Sequence, residues 1–134
     1  MHVVIVGAGV GGLSVAIALA RKGLCVKVLE RAPVLTTVGA SLALDPNAMR
    51  VLRELGLMDP LRRVGVRVDA VEHLRWDNGA ILFRTPLGVG AEEHFGAPAL
   101  DFLRSDLQRV LVEALPSGAL MLGAEVARVE QDAG

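Results

Sequence analysis

Cysteine is nearly absent from this sequence: Cys25 stands alone among 134 residues. A single thiol excludes an internal disulfide and fits a reducing compartment. Set inside an apolar, β-branched run, Cys25 reads as a small buried hydrophobe rather than a nucleophile. Aromatics are scarce too, with Trp76, Phe83, Phe95 and Phe102 making up the whole set. That removes the stacking platforms on which single-stranded nucleic acid is held. Charge of one sign is not in excess either, since 14 Lys and Arg face 15 Asp and Glu for a formal net charge of −1. There is no basic footprint for a nucleic-acid partner. His2, His73 and His94 do not fall at metal-ligand spacing, and no His, Cys and carboxylate cluster or Ser/His/Asp arrangement can be traced. Glu92 and Glu93 are neighbours whose side chains point apart, so they read as solvated loop charges. No metal and no catalytic side chain is assigned.

What is present is a run from Val3 to Ala20 without a single charge. It has three possible meanings. A signal peptide needs a cationic segment ahead of its apolar core, and here the cations, Arg21 and Lys22, come after it. A spanning helix needs about 20 apolar residues, but this run carries Gly7, Gly9, Gly11 and Gly12, poor helix formers, in one turn-like block. The third meaning fits the residues. His2-Val3-Val4-Ile5-Val6 reads as a buried strand, the glycine block as a turn, and Leu13 to Lys22 as a helix. The chain is therefore expected in the cytoplasm, with no membrane partner.

The glycine spacing has a chemical reason. Gly7-Ala8-Gly9-Val10-Gly11-Gly12 satisfies G-x-G-x-x-G: Gly7 permits a tight turn, Gly9 lets a pyrophosphate approach the backbone, and Gly12 lets helix and strand lie close. The helix start offers free N–H groups and a partial positive charge to phosphates. Ala16 is small where the helix should press on the sheet, and Gly23 should end the helix in the left-handed region. A second strand, Leu24 to Leu29, then delivers Glu30, 18 residues after Gly12. An acid at about that distance accepts from ribose hydroxyls and repels a 2′-phosphate. The stretch reads as a dinucleotide cradle.

Beyond it, Arg31 to Val38 reads as a loop and Gly39 to Leu44 as a short strand. Asp45-Pro46 signals a helix start, with Asp45 as N-cap and Pro46 in the first turn, and Gly56 ends that helix. Asp59-Pro60 repeats the start signal. Val66 to Trp76 alternates as one strand, Asp77-Asn78-Gly79 makes a hairpin turn, and Ala80 to Thr85 returns. Gly88 to Ala99 reads as a loop. Ser105 with Gln108 matches a capping box for a helix through Leu115, and Ala119 to Leu122 and Glu125 to Gln131 read as strands.

Three stretches together resemble one family, the FAD-dependent class A monooxygenases that include salicylate and para-hydroxybenzoate hydroxylases. They are Val6 to Arg31, "GASLALDPNAMRVLRELGL" from Gly39 to Leu57, and "LRSDLQRVLVEAL" from Leu103 to Leu115. The resemblance implies an α/β fold, a Rossmann-like FAD-binding domain of the glutathione-reductase type. The hairpin at about 66–85 would belong to the substrate side. It implies that Gly7, Gly9, Gly11 and Gly12 hold the FAD pyrophosphate, Glu30 the adenosine ribose, and Arg31 the ribose and adenine. Arg104 would reach the cofactor from its helix start and the Val126 backbone would meet the adenine edge. By the same resemblance Ser41 would stand beside the flavin ring, where the family more commonly has glycine.

The implied activity is hydroxylation of an aromatic or other small cyclic substrate with NAD(P)H and O2, the oxygen chemistry belonging to the flavin. Family members carry later Asp-Gly and Gly-Asp motifs and most of a substrate domain, whereas "VEQDAG" reads as a turn without its return strand. The expectation is an N-terminal portion of such an enzyme, inactive by itself. Two other readings stand beside it: a non-catalytic Rossmann-like nucleotide-binding remnant, and an FAD-dependent reductase of the same superfamily.

Overall fold

A computed structural model describes residues 1–35 and 41–131. In chain order the elements are β1 (His2–Val6), α1 (Val10–Arg21), β2 (Cys25–Leu29), β3 (Ser41–Leu44), α2 (Pro46–Glu54) and α3 (Met58–Val64). Then come β4 (Val66–Arg67), β5 (Ala70–Leu74), β6 (Ile81–Pro86), α4 (Val89–Phe95), β7 (Leu100–Leu103), α5 (Arg104–Glu113) and β8 (Leu120–Met121). They divide into two compact units, Met1–Val38 with Gln108–Gly134, and Gly39–Leu107.

The first unit is the βαβ arrangement that the glycine block predicts, but β1 is not the buried strand expected: Val4 and Val6 on one of its faces are exposed. β1 and β2 pair in parallel from His2 opposite Cys25 to Val6 opposite Leu29, and β8 adds to the other edge of β2 with Val28 opposite Leu120. A parallel pair needs a crossover, and α1 supplies it. Leu13, Ala16 and Ile17 bury its inner side, and Val26 and Val28 of β2 are buried with them. Ala16 is wholly buried, as its size predicts, and Gly23 ends the helix at φ +80°.

The alternation in β2 corrects one expectation. Val26 and Val28 are buried while Cys25 is exposed. Side chains alternate along a strand, and Cys25 falls on the parity opposite the two valines. The strand expected at Glu125 to Gln131 is also absent: these residues join no ladder. A strand is defined by its partner, and no described segment pairs with this one.

The second unit has an antiparallel sheet in the order β3-β7-β4, with Leu42 opposite Phe102 and Val66 opposite Asp101. Met49, Leu52, Leu57, Leu61, Leu100 and Phe102 form its core. Gly39 and Ala40 of the expected strand, and residues 36–38 of the preceding loop, lie outside the described residues; Ser41 to Leu44 is a strand, as expected.

Several boundaries differ from expectation. Asp45 occupies the N-cap position of α2, but its side chain makes no capping bond. α3 begins at Met58 rather than at the Asp59-Pro60 signal, with Leu57 as N-cap. The alternating stretch from Val66 to Trp76 breaks at Val68-Asp69, because β4 pairs with β7 whereas β5 pairs with β6. Trp76 lies in the hairpin turn and is 97 % exposed. The turn itself is the expected one: Gly79 takes φ +71° and Asn78 Oδ1 accepts from Ala80 N–H.

The stretch expected as a loop from Gly88 to Ala99 holds α4, which Gly88 opens and Gly96 closes at φ +74°. Side chains of the neighbouring helices tie it down, Arg62 pairing with Glu92 and Arg53 donating to the Gly96 carbonyl. β7, which no local signal announces, is the central strand of this sheet.

Candidate functional site: a glycine turn and an ionised glutamate

The site begins where β1 ends. Gly7 leaves the strand at φ +98°, a conformation that side chains rarely adopt, and its N–H donates to the Leu29 carbonyl at 2.7 Å. Gly9 is the N-cap of α1, and its carbonyl takes the first helical bond from Leu13 N–H at 3.0 Å. A Cβ on Gly12 would lie 2.1 Å from the Gly7 carbonyl oxygen and 3.4 Å from a methyl of Ile5. This is the close strand–helix approach expected of that position. By contrast, a Cβ on Gly9 or Gly11 would meet nothing within 4 Å. The outer side of the turn is therefore open, and its inner side is packed.

The open side carries donors. The first N–H groups of a helix have no partner within it. Among the described residues nothing accepts from those of Val10, Gly11 or Gly12. The first turn of α1 contains no acid that would neutralise the helix end.

Glu30 stands immediately after β2, and its carboxylate is tied at both oxygens. Oε2 accepts from Ala8 N–H at 2.7 Å and Oε1 from Ala32 N–H at 2.9 Å. Its backbone is fixed as well: Glu30 N–H donates to Met121 at 2.9 Å, and its carbonyl accepts from Ala124 N–H at 2.8 Å. The Ala32 and Ala8 amides hold the carboxyl below the usual carboxylate range; desolvation opposes them, and the positive charge and amide of Arg31 add smaller lowering contributions.

The sign of the pH effect follows. A depressed folded-state value means that the stability these bonds contribute is fully present above the ordinary carboxylate range. It is lost as pH falls through the lowered value. Glu30→Gln is expected to flatten this acid limb: between about pH 6 and about pH 3 its urea midpoint should fall less than the parent's. Equal slopes for the two proteins would refute the assignment.

Gly7, Gly9, Gly11, Gly12, Glu30 and Arg31 all belong to the first unit, as does Val126, which is half-buried two residues beyond Ala124. Ser41 and Arg104 belong to the second unit. Arg104 is the first residue of α5 and exposed, and Ser41 faces Leu103 across the β3–β7 ladder. Ser41 also lines an open cleft of about 770 Å³ with Arg67, Asp69, Asp101, Phe102 and Asp106. No metal-sized group of three or more His, Cys, Asp or Glu occurs among the described residues. None of their helices is long and apolar enough to cross a membrane.

The capping box expected at Ser105 and Gln108 is not formed. α5 starts one residue earlier, at Arg104. The Gln108 amide instead donates to the Ala8 carbonyl at 2.7 Å. No local pattern in the sequence announces a bond between residues this far apart in the chain.

An FAD binding domain model matches residues 1–134. The chain belongs to the FAD binding domain family. Among curated relatives, the 3-amino-4-hydroxybenzoate 2-monooxygenase of Streptomyces cremeus is 48 % identical over 131 residues, covering 98 % of this chain and 33 % of that protein. The 6-hydroxynicotinate 3-monooxygenase of Bordetella bronchiseptica is 38 % identical over 131 residues, covering 98 % of this chain and 34 % of the relative. Among solved structures, HpxO of Klebsiella pneumoniae complexed with FAD and uric acid superposes with a TM-score of 0.86 at 26 % identity, over 99 % of this chain and 33 % of that one. The chain thus spans about a third of the length of the relatives it matches.

The residues present fit the cofactor the family is named for. Gly12 cannot carry a side chain, Gly9 and Gly11 leave open space at a donor-bearing helix start, and Glu30 presents an ionised acceptor at the end of the second strand.

Proposed function

We propose that this chain is the FAD-binding portion of a flavin-dependent monooxygenase that hydroxylates a small aromatic substrate with NAD(P)H and O2. The observation that carries the reading is the pairing of the open glycine turn with the doubly held carboxylate of Glu30. The relatives named for hydroxybenzoate and hydroxynicotinate substrates support the substrate class. We place the protein in the cytoplasm, because the apolar run from Val3 is used up by β1 and α1.

In this reading the flavin, when bound, supplies the oxygen chemistry, and the chain's residues bind and orient. Gly7, Gly9 and Gly11 let the diphosphate reach the backbone, Gly12 keeps the start of α1 close against the strand, and that start offers unpaired N–H donors and a positive dipole end. Glu30 accepts from the ribose hydroxyls. Being ionised, it opposes a phosphate at the 2′ position, which favours FAD over a phosphorylated dinucleotide in this cradle. By the resemblance, Arg31 would hold the ribose and adenine, the Val126 backbone the adenine edge, Arg104 the cofactor and Ser41 the flavin ring. The hairpin β5–β6 belongs to the substrate side.

Calorimetric titration of the chain with ADP and with FAD tests this. Both are expected to bind, and Glu30→Ala is expected to weaken ADP by about 1–3 kcal/mol, the range for a lost hydrogen bond to a charged group. A dissociation constant that Glu30→Ala leaves unchanged would remove Glu30 from the ribose site.

A further inference from the structure

Ala8 has no side-chain function to offer, yet it is the most constrained residue of the turn. It is fully buried. Both its backbone polar groups are taken by side chains from distant parts of the chain. Its N–H donates to Glu30 Oε2 at 2.7 Å, and its carbonyl accepts from Gln108 Nε2 at 2.7 Å. Glu30 comes from the end of β2 and Gln108 from α5, so two separate elements hold one residue between them.

The Gln108 bond acts one atom further on. The peptide joining Ala8 to Gly9 is planar and trans, so its C=O and N–H point in opposite directions. Holding the carbonyl toward Gln108 therefore holds the Gly9 N–H away from it, away from α5. No described group accepts from that N–H. A Cβ on Gly9 would meet nothing within 4 Å. Gly9 is also the N-cap, so its N–H stands beside the unpaired donors of the first turn of α1.

Resting on the proposed FAD reading, we infer that Gln108 is a positioning residue for the dinucleotide turn. It fixes the Ala8–Gly9 peptide so that the Gly9 N–H is aimed at the diphosphate before the nucleotide arrives. A free peptide at a glycine can flip, since Gly9 has no Cβ to restrict its φ. Without Gln108, the buried Ala8 carbonyl loses its partner, and rotating toward water to regain one would turn the Gly9 donor out of line.

The test uses the full chain and ADP as the probe. Gln108→Met keeps the side-chain volume and removes the donor; Gln108→His keeps a ring N–H. Calorimetry is run well below the unfolding midpoints, and amide exchange is followed by NMR. Gln108→Met is expected to raise the ADP dissociation constant about tenfold, the loss of one hydrogen bond near a charged ligand. Gln108→His should bind within about threefold of the parent. The Ala8 and Gly9 amides should exchange faster in Gln108→Met, while those of α5 keep their protection.

ADP affinity unchanged in Gln108→Met overturns the inference. So does loss of α5 protection together with Ala8, which would make Gln108 a scaffold residue only. Failure of both variants to fold would overturn it in the same way. If the parent takes up no ADP, the nucleotide reading falls and this role falls with it; equal affinity of parent and variant removes Gln108 alone.

Discussion

Gly12→Ala is expected to abolish ADP binding and unfold the first unit. By helix propensity alone the substitution should help, since alanine is favoured over glycine inside a helix by about 1 kcal/mol. The geometry decides otherwise. The new Cβ would sit 2.1 Å from the Gly7 carbonyl oxygen, and the obstacle is backbone rather than the end of a flexible side chain. Relief requires moving either α1 off the sheet or Gly7 out of a turn anchored by its 2.7 Å bond to Leu29. Overpacking in a well-filled core costs about 1–3 kcal/mol even where side chains can adjust; here the loss should exceed about 3 kcal/mol. Gly11→Ala is the matched control for stability, because its Cβ meets nothing within 4 Å. Urea midpoints of the two variants should separate widely. A Gly12→Ala protein as stable as its parent would contradict the packing described.

The second large effect is an activity of zero. Purified as residues 1–134 and supplied with FAD, the chain is expected to oxidise neither NADH nor NADPH in response to hydroxylated aromatic acids, and to release no hydroxylated product. With FAD, reductant and O2 supplied, oxygen transfer would need a closed, water-excluding site that holds the substrate in reacting position. The proposed substrate side contributes β5 and β6. Leu74, Ile81, Leu82 and Phe83 on these strands are more than half exposed. A two-stranded hairpin is marginal as structure by itself and does not enclose a flavin and a substrate together. Absorbance at the reduced-cofactor wavelength, with chromatography of the products, reads the outcome. Substrate-stimulated oxidation coupled to hydroxylation would show that this chain alone carries the complete activity.

The contrast between what is legible in the sequence and what is not follows the range of the interactions. The glycine turn, the helix end at Gly23 and the hairpin turn at Asp77-Asn78-Gly79 are set by residues close in the chain, and the sequence announces them. Glu30 is legible because a strand of fixed rise places it. Features decided across the chain run against their local signals. Ser105 and Gln108 satisfy a local capping pattern, but a buried carbonyl at Ala8 claims the glutamine amide. β7 is four residues long and includes Asp101, and it becomes a strand because β3 and β4 flank it. α4 carries acids and a glycine in a stretch of loop-like composition, and ties to Arg53 and Arg62 hold it. Cys25 lies in a strand as expected, but which parity of that strand faces α1 is not written in its apolar neighbours.

The carboxylate of Glu30 can also be understood as a count of lone pairs. Two carboxylate oxygens offer about four acceptor positions, and Ala8 N–H and Ala32 N–H occupy two of them. The Arg31 amide also acts on this carboxylate, and on the proposed reading the acceptor capacity left over meets the two hydroxyls, 2′ and 3′, that the ribose of ADP or FAD keeps free while its 5′ oxygen carries the diphosphate. On that reading, the protein's own amides set which hydrogens the carboxylate can still accept. A deoxy sugar would leave one acceptor unfilled, and a sugar whose hydroxyl has become a phosphate ester would bring oxygen lone pairs where the site requires a hydrogen.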